Sequence, residues 1–250
     1  MKNKHKIIKS KPKEEIMETL LKELSDKIEV NLTEEHISKF ITYKELLKEW
    51  NQKINLTAIT EDKEIVLKHF IDSLTVLKYI PQNANIIDVG TGAGFPGIPT
   101  KIAREDVSVT LLDSLNKRIN FLNDVIEKTN LENIKTVHGR AEDFGQNKEY
   151  REKYDVAVAR AVANLSTLTE LCLPFVKVDG SFIAMKGNST EEFEEAKKAI
   201  ETLGGKIEKI DRFNLPGTDI ERNIVVIKKI NKTPNQYPRK AGTPASKPIK

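Results

Sequence analysis

In residues 85–97, Asn-Ile-Ile-Asp-Val-Gly-Thr-Gly-Ala-Gly-Phe-Pro-Gly, a short apolar run ends in an acid and three alternating glycines follow. A run of that length, bounded by turn residues, reads as a buried strand. Glycine lacks Cβ and accepts positive φ, so Gly90, Gly92 and Gly94 permit a tight turn that a ligand can approach closely. The segment behind them can start a helix, with unpaired N–H groups and a positive dipole end. Strand, glycine turn and helix in this order form a cradle for a nucleotide-type cofactor.

Two patterns overlap in the turn. Residues 92–97 fit the dinucleotide fingerprint G-x-G-x-x-G. Residues 88–94 fit the acidic-x-G-x-G-x-G turn of S-adenosylmethionine (AdoMet) methyltransferases. Asp88, at the strand's carboxyl end, would oppose an incoming pyrophosphate but suits the ammonium of AdoMet, directly or through water. Pro96 removes a donor that a phosphate could use. These features favour AdoMet.

A second strand, ending Leu111-Leu112-Asp113-Ser114, places Asp113 23 residues after Gly90. That distance matches a strand–helix–strand unit whose second strand offers a carboxylate to ribose hydroxyls. Asp113 or Ser114 could also cap the next helix. A third strand, 134–138, leads to Ala141 and Glu142, where methyltransferases of this class read adenine. The expected cofactor contacts on these three strand ends are Asp88, Gly90, Thr91, Gly92, Gly94, Asp113, Ser114, Leu115, Ala141 and Glu142.

Residues 1–13 read as a basic extension and 14–80 as a helical cap. Ile16, Leu20, Leu24 and Ile28 mark one helical face, Thr33 can cap a second helix and Thr60 can begin a third, which would carry Ile65, His69 and Leu77. Residues 81–230 alternate strand and helix. Strands are expected at 85–89, 107–112, 134–138, 155–159, 181–186, 206–211 and 223–229, with a helix at 116–128. The fold class is α/β, a mostly parallel seven-stranded sheet with helices on both faces. Residues 231–250 hold four prolines and read as an arm lying on the surface or flexible.

The net charge of +4 hides an asymmetry. Residues 1–13 carry six Lys and residues 231–250 carry five Lys/Arg, with no acid in either. Setting these aside leaves 30 basic against 37 acidic residues. Basic ends on an acidic body suggest a polyanionic partner such as RNA. A single cysteine, Cys172, excludes a disulfide framework and fits a reducing cytoplasm. The four histidines show no metal-ligand spacing, so no metal is expected. No apolar run approaches a membrane span.

Several segments together resemble the bacterial small-subunit ribosomal RNA guanine-N7 methyltransferases, a family with the older name glucose-inhibited division protein B. They are Trp50-Asn51…Asn55-Leu56-Thr57, His69-Phe70-Ile71-Asp72-Ser73-Leu74, residues 90–99, Gly139-Arg140-Ala141-Glu142, Ala159-Arg160-Ala161, Lys186-Gly187, Leu215-Pro216 with Glu221-Arg222, and Pro238-Arg239-Lys240-Ala241-Gly242-Thr243-Pro244. The resemblance runs from about residue 30 to 249. It implies a Rossmann-like class I AdoMet-dependent fold with a helical N-terminal extension, acting in the cytoplasm as a monomer on small-subunit ribosomal RNA or a ribosomal particle. It puts Arg160 in the pocket and favours contact between Phe95 and cofactor. Arg160 and Lys186, ending the fourth and fifth strands, would position substrate. Arg118, Lys186, Arg222, Arg239 and Lys240 would meet RNA.

Guanine N7 has a free lone pair and no proton, so it can attack the AdoMet methyl in line without a general base. The chain lacks the Asn/Asp-Pro-Pro-Tyr/Phe segment that amino-group methyltransferases place after the fourth strand, and no catalytic acid or base is assigned. A small-molecule methyltransferase, or a non-catalytic AdoMet-sensing factor that binds ribosomes, is the alternative.

Overall fold

A computed structural model describes residues 13–160, 163–187 and 191–250; the lysine-rich residues 1–12 and Ala161 lie outside the described residues. Two helices come first, α1 (Lys13–Lys27) and α2 (Glu34–Asn51). In α1 the buried stripe is Met17, Leu21 and Leu24; of the expected row only Leu24 is buried, and Ile16 is 43% exposed. A strict four-residue repeat lags the 3.6-residue turn, so burial passes to the neighbouring row. Thr33 caps α2: its Oγ1 accepts the His36 N–H at 3.2 Å, and His36 Nδ1 accepts the Thr33 N–H at 3.3 Å. This is a capping box with His in the return role.

The third helix starts at Asp62 rather than Thr60. Its first turn, α3 (Asp62–Ile65), widens into a π-helical stretch, Val66–Ile71, and closes as α4 (Asp72–Leu74). Leu77 belongs to a separate 3₁₀ turn, Leu77–Tyr79. Wide turns of this kind are rare and concentrate at functional sites; this one carries His69.

Seven strands follow: β1 (Asn85–Val89), β2 (Ser108–Asp113), β3 (Ile134–His138), β4 (Tyr154–Arg160), β5 (Val176–Lys186), β6 (Gly205–Asn214) and β7 (Glu221–Lys229). Between or after them lie α5 (Gly97–Ala103), α6 (Asn116–Lys128), α7 (Ala141–Gln146), α8 (Leu165–Cys172), α9 (Glu191–Thr202) and α10 (Thr243–Ser246). The strands form one sheet in the order β3-β2-β1-β4-β5-β7-β6. β1 to β5 run parallel, and β7 pairs antiparallel with both β5 and β6. This is the mostly parallel α/β sheet expected from the sequence. β5 starts five residues before the expected strand. Asp179 (φ 68°) and Gly180 look like a turn in sequence, but the pairing with β4 shifts register there and the strand continues.

The sheet separates two apolar layers, because successive strand residues face opposite ways. Ile86, Val156, Val158, Ile183 and Met185 join the layer containing α1, α2, α5 and α6. Ile87, Ala157, Ala159, Phe182 and Ala184 join the layer containing α8 and α9. The N-terminal helices are therefore packed on the sheet, and α2 reaches the glycine turn through Tyr43, whose hydroxyl donates to Ala93 O.

Residues 231–250 form a strap across the body. Arg151 donates to Tyr237 O (2.6 Å) and Thr233 O (2.7 Å), and Gln146 to Pro238 O (2.9 Å). Among the described residues, no helix is long and apolar enough to cross a membrane.

Candidate active site

The site lies at the carboxyl edge of the parallel strands, where ligands bind in open α/β sheets. β1 ends in the glycine turn. Gly90 and Thr91 donate to Leu112 O, and Gly94 and Phe95 donate to Thr91 O. Gly90 (φ +70°) and Gly92 (φ +62°) take the left-handed conformation, and a Cβ on either would meet nothing within 4 Å. The backbone there borders open space. Gly97 is needed for packing instead: its Cβ would lie 2.4 Å from Leu111 and 2.8 Å from Asp88 Oδ2.

Asp88 lies beneath the turn rather than beside the space above it. It is fully buried. Its Oδ2 accepts from Thr91 Oγ1 (2.6 Å) and Gly97 N (2.8 Å), and its Oδ1 has no partner. Burial raises its carboxyl to about pKa 6. In the structure its carboxylate ties strand, turn and helix together.

Asp113 ends β2 as expected. Oδ2 accepts the Gly92 N–H (2.9 Å) and faces Arg118 (3.3 Å), and Oδ1 accepts the Leu115 N–H (2.9 Å). Asp113 therefore joins the glycine turn to α6, while Ser114 is exposed and Leu115 is 51% exposed. Ala141 and Glu142 open α7, half-buried. Glu142 Oε1 accepts the Gly242 N–H of the strap at 2.9 Å.

Arg160 sits at the centre of a network that the sequence did not foresee as a unit. Its guanidinium donates to Lys68 O (2.9 Å), to His69 Nδ1 (3.1 Å) and to Asp72 Oδ2 (3.4 Å). Arg222 of β7 donates from Nε to Asp72 Oδ1 at 3.0 Å. A guanidinium can only donate, so His69 Nδ1 is the acceptor and Nε2 carries the proton, given to Thr57 Oγ1 at 2.8 Å. Burial and the charge of Arg160 push His69 down to about pKa 3. Phe95 is 4% exposed. It stacks on His69 with centroids 4.5 Å apart, and the Arg160 guanidinium lies 4.7 Å from the Phe95 ring centroid. The Phe95 ring thus fills the floor of the network and presents almost no surface for a cofactor.

The remaining cations differ in availability. Lys186 is 7% exposed and bonded to Ala163 O (2.7 Å) and Glu192 (2.9 Å), which ties the end of β5 to the loop after β4. Arg239 is not a free phosphate ligand. Its Nε and NH2 grip the carboxylate of buried Glu170, which also accepts the Arg239 N–H at 2.8 Å. Arg118 and Arg222 are paired with Asp113 and Asp72. Lys240 is exposed.

Sequence reasoning missed Tyr43, Glu170 and the union of Thr57, His69, Asp72, Arg160 and Arg222. Glu170 carried a readable signal, a lone acid in the otherwise uncharged segment Leu165–Cys172. The network carried little, because its bonded partners are separated by up to 150 residues. A cleft of about 730 Å³ between Lys27–Asn31 and Phe213–Pro216 shares no residue with this site.

The model of the family described as rRNA small subunit methyltransferase G matches residues 36–225. A protein of Acetivibrio thermocellus named ribosomal RNA small subunit methyltransferase G is 62% identical over 88% of this chain and 91% of its own length. A namesake from Clostridium perfringens strain 13 is 56% identical over 92% and 98%. Among solved structures, TYW2 of M. jannaschii in complex with AdoMet superposes with a TM-score of 0.51 at 15% identity, covering 64% of this chain and 75% of that one. That likeness concerns the fold alone.

Proposed function

The chain belongs to the rRNA small subunit methyltransferase G family, and from that premise we propose that this ribosomal RNA methyltransferase moves the methyl group of AdoMet to N7 of one guanine in small-subunit RNA. AdoMet supplies an electrophilic methyl on a sulfonium. The open backbone at Gly90 and Gly92 fits a cofactor pressed against the turn, and Asp113 beside it fits a ribose. In this reading Arg160, held by Asp72 and His69, bonds guanine O6 or a flanking phosphate.

One observation carries the choice of N7. Around Arg160, none of His69, Asp72 and Asp88 is available as a proton acceptor. Both His69 nitrogens are engaged and the ring resists protonation down to about pH 3. Asp72 is held by two guanidiniums, and Asp88 is sealed under the turn. Amines and hydroxyls must lose a proton during methylation; N7 has none to lose. Rate enhancement then rests on alignment.

In this reading residues 14–80 form a cap on the substrate side, 81–230 the cofactor-binding body and 231–250 a basic strap, in a cytoplasmic monomer. Methyl-labelled AdoMet incubated with the protein and unmodified small-subunit RNA should label the RNA. Borohydride and aniline should then cut the strand at one position. Labelling of small molecules in place of RNA would favour the small-molecule alternative.

A further inference from the structure

We propose that a cleft beside the glycine turn is a subsite for an RNA nucleotide flanking the target, an inference that rests on the RNA reading above. The cleft, about 280 Å³, lies between Lys53, Ile54 and Asn55 of the loop after α2 and Leu115, Lys117 and Arg118 at the start of α6. It shares a wall with the cofactor cradle, since Asp113 bonds both Gly92 and Arg118.

Its lining combines three chemistries. The apolar part is Ile54 with Leu115, a large side chain left 51% exposed. An apolar floor of this kind suits the face of a base. Asn55 is exposed and its side chain makes no hydrogen bond among the described residues. The loop does not need it, because Asn51 holds the turn: its Oδ1 accepts from Leu56 N (2.8 Å) and Thr57 N (3.0 Å), and its Nδ2 donates to Thr57 O (2.9 Å). An idle amide, both donor and acceptor, can read a base edge. The lining also holds three cations, of which Lys53 pairs with Glu49 (2.8 Å) and Arg118 with Asp113 (3.3 Å). Lys117 is exposed and has no ion pair among the described residues. Lys117 and Arg118 stand in the first turn of a 13-residue helix, where a cation opposes the dipole. Helix stability gains nothing from that placement; a phosphate does. Apolar face, amide and cations within one small cleft match the three parts of a single-stranded nucleotide.

The test uses the full-length protein with Asn55→Asp and Lys117→Glu, singly and together. Affinity for small-subunit ribosomal RNA is measured across a salt series, with AdoMet affinity and melting temperature alongside. The double variant should bind RNA about tenfold more weakly, with the log–log salt slope reduced by about 0.7 for each phosphate no longer neutralised. AdoMet affinity should stay at the unaltered protein's value, and the melting temperature should not fall, since an acid at position 117 suits the helix dipole. Unchanged RNA affinity and slope would overturn the subsite. A parallel loss of AdoMet affinity would also overturn it, making the cleft the rim of the cofactor site. Absence of RNA binding by the unaltered protein would instead remove the RNA reading itself, and the subsite with it.

Discussion

At the scale of single residues, the site is organised by one buried carboxylate. Asp72 is 2% exposed and is shared by Arg160 and Arg222, which come from different strands. Removing one partner of a buried ion pair leaves uncompensated charge, which typically costs about 3–5 kcal/mol. Asp72→Ala should therefore lower stability by about that amount in urea titration, and methyl transfer should fall with it because Arg160 loses its support. His69 makes a pH prediction. Its folded pKa of about 3 lies below the ordinary 6.5. Between those values the unfolded chain binds the extra proton, so His69's contribution is fully present above pH 6.5 and declines as pH falls toward 3. The loss should reach on the order of 4 kcal/mol at the acid end. His69→Gln should flatten that part of the stability–pH curve; an unaltered curve would mean the ring is protonated in the folded protein near its ordinary pH.

At the scale of elements, the C-terminal strap departs most from what the sequence suggested. As a basic arm it would touch RNA and leave AdoMet binding unaffected. In the fold it is fastened by Arg151 and Gln146, by the Arg239–Glu170 pair and by Gly242 on Glu142, and Pro238 packs where a Cβ on Gly145 would lie. Both Glu142 and Gly145 belong to α7, the helix that opens with the expected adenine-reading residues. Deleting 231–250 should thus lower the melting temperature and weaken AdoMet binding as well as RNA binding. Calorimetry giving the same AdoMet affinity for the truncated and full-length proteins would separate the strap from the cofactor site. A smaller prediction tests the cap of α2: Thr33→Ala should cost about 1 kcal/mol, read from thermal unfolding, without changing transfer.

At the scale of the whole molecule, the parts legible in the sequence were those written in local chemistry. The glycine turn, the acid ending β2 and the helix at 116–128 follow from short patterns, and the alternation of strands and helices follows from hydrophobic period. What stayed illegible depends on distance. Thr57, His69, Asp72, Arg160 and Arg222 become one network only after β4 and β7 are brought to the same edge and a π-helical turn places His69 beside them. Arg239 reads as a free cation until Glu170 is found buried beneath it. Asp88 reads as a ligand group until the turn closes over it. The network and Arg239 share one origin, a charge whose partner lies far along the chain; Asp88 differs, its partners Thr91 and Gly97 being local but visible only once the turn folds over it.

Methyl transfer that needs no proton acceptor leaves its signature in the product. Small-subunit RNA treated with the protein and AdoMet is digested to nucleosides, and the methylated one is identified by mass spectrometry. The expected product is N7-methylguanosine, lost when Arg160 is replaced. A methyl group on a guanine exocyclic amine or a ribose oxygen would contradict the mechanism, because those atoms must surrender a proton that neither His69, Asp72 nor Asp88 is free to take.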